Sequence, residues 1–119
     1  YRNPHSLNPD HLAQSGKTPK FETVGDKRVI SDATNTLEIH HIAGSYHDPG
    51  LLMVYLPKEK VLMEADAYNP RPPEAKPAPS PNIVNLVGNI DRRKLDVKEI
   101  AYIHGGVEPV EVLRRAASR

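Results

Sequence analysis

The stretch HHIAGSYHDPGLLMVYLPKEKVLMEADAY, residues 40–68, decides the fold. Leu51 to Leu56 is apolar without a break, too short for a lone buried helix and rich in sheet formers. It reads as a strand covered on both faces. The tetrapeptide PKEK, 57–60, makes a tight polar turn, and VLMEADAY, 61–68, is the return strand of a hairpin. Three of the six histidines lie in this stretch, and an aspartate, Asp66, stands where the return strand ends.

Working outward, NTLEIHHIAG alternates Leu37, Ile39 and His41 against Glu38, His40 and Ile42, the period of a strand. KRVISD, 27–32, is a shorter one. His40 and His41 therefore face opposite sides of a strand, each expected to be hydrogen-bonded in place. Residues 1–26 read as a polar N-terminal arm, with surface histidines at His5 and His11 and a short helical turn near Pro9–Gln14. Residues 70–81 hold six of the twelve prolines and read as a solvated extended loop, since proline removes backbone donors. In SPNIVNLVGNIDRRKL, Ser80 suits an N-cap and Pro81 the first helical position. Ile83, Leu86, Val87 and Ile90 then share one helix face. Gly88 weakens that helix by about 1 kcal/mol relative to Ala, which points to close packing there. EIAYIHGG is a further buried strand. EPVEVLRRAASR is a closing helix, with arginines at the end that complements its dipole. The order is four strands, helix, strand, helix: an α/β (α+β) domain with a mixed sheet and helices packed on one face.

Composition narrows the function classes. The chain has 119 residues, enough for one domain with a single core. With 16 basic and 15 acidic side chains the net charge is +1, which gives no reason to expect a nucleic-acid or membrane partner. There is no cysteine, so disulfides, thiolate zinc ligands and a cysteine nucleophile are excluded. Cytoplasm and periplasm both stay open for a soluble chain of this kind. No apolar run approaches the ~20 residues of a membrane span, and no signal peptide opens the sequence. Tyr1 is not a translation start, so a removed upstream segment is expected.

Three polar residues stand at strand ends or in neighbouring loops. His47 lies in GSYHDPG, Asp66 follows VLMEA, and His104 stands between IAYI and GG. Two imidazoles and a carboxylate are good zinc ligands. Their separations of 19 and 38 residues match no short zinc motif. On spacing alone the plainer reading is preferred, with Asp66 as a turn cap, His104 packed under the last helix and His47 as a surface residue.

From about Lys27 to Leu113 the sequence resembles the C-terminal half of a metallo-β-lactamase-fold protein. GSYHDPGLLMVYLPKEKVLMEADAY is similar to that family's third histidine motif, its hairpin and its strand-ending aspartate. NIDRRKLDVKEIAYIHGG is similar to its helix, strand and final histidine. LNPDHLAQSGKTPKFETVGDKRVISD fits the segment ahead of the third motif in one branch of the family. The resemblance implies that His47 is a ligand of a first zinc, that Asp66 reaches or bridges to a second, and that His104 completes the second. In the family such metals lower the pKa of a bound water, and the resulting hydroxide attacks a carbonyl or phosphoryl centre. No role is implied for His40, His41, Ser45, Tyr46 or Tyr68.

The family's first metal motif, H-x-H-x-D-H, occurs nowhere in the 119 residues. The resemblance thus implies half of an αββα sandwich, whose complete form stacks two similar halves face to face. A lone half would leave an apolar sheet face bare, which monomers rarely tolerate. The expected partner is the missing N-terminal half or a second copy of the chain in a homo-oligomer, unless the chain is what remains of a longer protein. The expectation is the C-terminal part of a zinc-dependent hydrolase, inactive by itself. The alternative is a non-catalytic, dimerising α/β module without a working metal site.

Overall fold

A computed structural model describes residues 7–70 and 79–118. Within them the order is α1 (His11–Ser15), β1 (Lys27–Ser31), β2 (Thr36–His41), β3 (Leu52–Leu56), β4 (Val61–Glu64), α2 (Pro81–Arg92), β5 (Glu99–Tyr102), β6 (Val107–Pro109) and α3 (Val110–Ala117). The strands form one sheet in sequence order. All neighbours are antiparallel except β4 and β5, which run parallel because α2 carries the chain back between them. His5 and most of the proline-rich loop lie outside the described residues.

The sequence expectations hold for β1 to β5, α2 and α3, with two corrections. Glu108 and Pro109, expected to open the last helix, which starts at Val110, instead belong with Val107 to the edge strand β6. Its proline is tolerated because an edge strand needs donors on one side only. The other correction concerns β3, which is not covered on both faces. Met53 and Tyr55 are buried, whereas Leu52 is 38% exposed and Val54 and Leu56 are half-buried. Among the described residues no layer packs on the second side.

The covered side is the core. Leu62, Leu86, Ile90, Ile100 and Leu113 are fully buried there, each contributing about 1.5–3 kcal/mol by removal from water. Ile83 and Val87 pack against this cluster from α2, on the face the spacing defines. Pro81 stands at the first turn of α2, while the Ser80 side chain makes no capping bond. Gly88 does not serve close packing, since nothing lies within 4 Å of where its Cβ would be. Instead it faces solvent.

On the other side, the registers align Ile39, Val54, Met63 and Ala101 in one row across four strands. An apolar groove there is lined by Leu52, Val54, Met63, Ala65, Ala101 and Ile103. This is the architecture of half a two-sheet sandwich. No helix among the described residues is long and apolar enough to cross a membrane.

Candidate metal centre

Strand register brings the three sequence-selected residues to one edge of the sheet. Glu64 pairs with Tyr102 across the parallel β4–β5 ladder. Two residues further along each strand stand Asp66 and His104, so parallel exit places them side by side. Met53 pairs with Glu64 on the other flank, so the loop entering β3 arrives at the same edge. That loop carries His47.

The three side chains meet at the Asp66 carboxylate. His104 Nε2 is 2.7 Å from Oδ1 and His47 Nε2 is 3.9 Å from Oδ2. Asp66 is 38% exposed, His47 50% and His104 59%. His104 is therefore at the surface and not packed under the last helix.

Each loop is tied down by the scaffold. Ahead of His47, Asn89 on α2 accepts the Ala43 amide at 3.0 Å and donates to its carbonyl at 3.1 Å, and Asn85 donates to the same carbonyl at 3.0 Å. Gly44 has φ +71°, and a Cβ there would lie 3.3 Å from Asn85 Nδ2, so glycine suits the turn in both respects. Ser45 Oγ accepts the His47 amide, and Asp48 Oδ1 accepts that of Gly50. Asp66 itself has φ +71°, uncommon for a residue with a Cβ. Behind it, Glu64 Oε2 accepts the amides of Ala67 at 2.8 Å and Tyr68 at 3.2 Å. Burial pushes the Glu64 carboxyl above its usual range, with those two amides pulling the other way. Below His104, Tyr102 packs edge-on against Tyr68 with ring centroids 5.2 Å apart.

His40 and His41 are held as expected. His40 Nε2 lies 2.9 Å from Glu38, and its Nδ1 faces Arg93, which fixes Nε2 as the protonated nitrogen. Arg93 also grips Asp26 and the His41 carbonyl, tying the start of β1 to the end of α2. His41 Nε2 donates to the Pro49 carbonyl at 2.7 Å, which steadies the His47 loop. Neither ring joins the Asp66 cluster.

Two imidazoles and a carboxylate suit zinc in kind. As placed, His104 hydrogen-bonds to Asp66 while His47 stands 3.9 Å from it, and among the described residues no group of three or more His, Asp or Glu side chains is arranged to hold one metal ion. The donors fit zinc in type, and the chain supplies three of them. Sequence reasoning did not single out Glu64, Asn85 or Asn89. For Glu64 there was a signal: an acid two residues from Leu62, on the inward side of an otherwise apolar strand.

No protein-family model matches the sequence, and no curated protein matches it. Solved structures do share its fold. The DIM-1 metallo-beta-lactamase superposes with a TM-score of 0.59 at 20% identity over 90% of this chain and 51% of that one. A metallo-beta-lactamase from Pontibacter korlensis gives 0.60 at 17% identity, covering 90% and 51%. A double mutant of a sec-alkyl sulfatase gives 0.55 at 20% identity, covering 85% and 17%. The chain is thus a half-sandwich of mixed α/β class. More narrowly, it carries the metallo-β-lactamase fold and spans about half the length of the metallo-beta-lactamases it matches.

Proposed function

We propose that this chain is the C-terminal, ligand-bearing half of a zinc-dependent hydrolase of the metallo-β-lactamase type, and that it is inactive until a complementary half covers its open sheet face. The observation that carries the reading is the convergence of His47 and His104 on Asp66. Three residues far apart in sequence meet where parallel strands end, the usual place for functional groups in such sheets. His47, Asp66 and His104 are the residues that would hold zinc, with further donors coming from the other half. A bound zinc would supply an activated water and a Lewis acid. Here the chain's own part is to hold two imidazoles and a carboxylate in fixed loops. Substrate class stays with the complete site, since one fold serves many chemistries.

Zinc per chain, measured by elemental analysis of the purified protein, tests this. At least one zinc is expected with the complementary half present, lost in Asp66→Ala and His104→Ala. An intact assembly without zinc would overturn the reading.

The uncovered row of Ile39, Val54, Met63 and Ala101 supports a second reading, a dimerising module without a working metal site. Analytical ultracentrifugation at micromolar concentration decides it: this reading requires a dimer, and a stable monomer removes it.

A further inference from the structure

Glu64 sits where a carboxylate is costly. Its neighbours across the sheet are Met53 and Tyr102, both on the helix-covered side. It is only 7% exposed, and its Oε1 has no hydrogen-bond partner among the described residues. A buried carboxylate with an unmatched oxygen destabilises the fold compared with an apolar side chain of the same shape. Core packing therefore does not account for it. What it does make are two bonds, to the amides immediately after Asp66.

Asp66 needs such support. Its left-handed backbone costs about 1–2 kcal/mol for a residue with a Cβ, and such conformations persist where the surroundings over-determine them. Two contacts could do so. The Asp66–His104 bond joins side chains 38% and 59% exposed, where ion pairs contribute little. The Glu64 bonds are buried, and amide bonds to a carboxylate are shorter and stronger than neutral ones.

We propose that Glu64 is the positioning residue for Asp66: by accepting the Ala67 and Tyr68 amides, its carboxylate fixes the left-handed turn that presents Asp66 to His104 and His47. The geometric part stands on the turn alone, and its bearing on chemistry rests on the zinc reading above. Among the described residues no hydrogen bond joins Glu64 to either histidine, although its charge is felt at His104. It acts through the backbone of its own loop.

The test is NMR of the 119-residue chain with two substitutions. Glu64→Met keeps length and removes the acceptor, while Glu64→Gln keeps one acceptor oxygen for both amides. In the methionine variant, hydrogen exchange at Ala67 and Tyr68 should quicken at least tenfold, with Leu62 and Ile100 unchanged. The His104 ring-nitrogen signals should move to their positions in Asp66→Asn. Glutamine should restore both readouts. A folded methionine variant with wild-type His104 signals, or a glutamine variant that fails to restore them, would overturn the proposal. If the methionine variant does not fold, Glu64→Asp, shorter by one methylene, must shift the His104 signals in the same direction or the proposal fails. Zinc content measured in parallel separates the two ideas: absence of zinc from every sample of the complete assembly removes the metal reading, while the ring signals still decide the role of Glu64.

Discussion

Adding one methyl group at Gly105 should unsettle the His104 loop through the core beneath it. An ideal Cβ at Gly105 lies 1.8 Å from Tyr102 Cε2, 2.6 Å from Cδ2 and 2.8 Å from Cζ. Carbon atoms rest about 3.5–4.0 Å apart, so ring or loop must move by roughly 2 Å. The Tyr102 ring has little freedom, being 8% exposed and wedged edge-on against Tyr68. Overpacking of this kind costs about 1–3 kcal/mol. For a domain of this size that lowers Tm by roughly 5–10 °C at the middle of the range. The assay is urea denaturation of Gly105→Ala in wild-type and Tyr102→Val backgrounds. Valine removes all three clashing atoms, so the alanine should cost less than about 0.5 kcal/mol there, leaving a coupling of about 1–2 kcal/mol between the positions. Equal costs in both backgrounds, or no cost in either, would refute the claim that the tyrosine ring demands glycine at this turn.

Two further outcomes follow from the scaffold. Gly88→Ala should raise stability by about 1 kcal/mol, because the site is open and helical, and a lower urea midpoint would contradict it. The second concerns pH. Burial lowers the pKa of His40, which is 3% exposed, with Arg93 and Lys27 acting in the same direction and Glu38 against. The unfolded chain then binds this proton more readily than the folded one, so stability should fall as pH drops below about 6.5. Glu64, shifted upward, contributes a slope of opposite sign, in which stability is lost as pH rises through its folded pKa. The difference between wild type and His40→Gln isolates the histidine: Tm should fall more steeply from pH 7.5 to 5.5 in wild type, and parallel profiles would count against it.

Much of the fold could be read from local pattern. The alternation in Leu37–Ile42, the PKEK turn and the apolar face of Ile83, Leu86, Val87 and Ile90 each mark an element, because burial on one side repeats with the period of the element. His47, Asp66 and His104 stood out as polar residues beside strand ends. Strand β6 was not legible, since three residues ending in proline carry no periodicity. The bare second face of β3 could not be read from its own residues, although the resemblance to half a sandwich implied an uncovered sheet face. LLMVYL is as apolar as a strand covered on both sides, and no covering layer is found among the described residues.

The sequence by itself determined most of the strands and helices, which side chains are available as ligands, and that no H-x-H-x-D-H motif occurs in these 119 residues. Only the tertiary structure decided that β4 and β5 lie parallel and adjacent, with Glu64 opposite Tyr102. That register turns a 38-residue separation into a 2.7 Å contact between Asp66 and His104. It also turns an acid within an apolar strand into a buried acceptor for the amides behind Asp66. The reason is physical: hydrophobic period specifies which way a side chain faces, but a contact between strands depends on which strands pair and in what register.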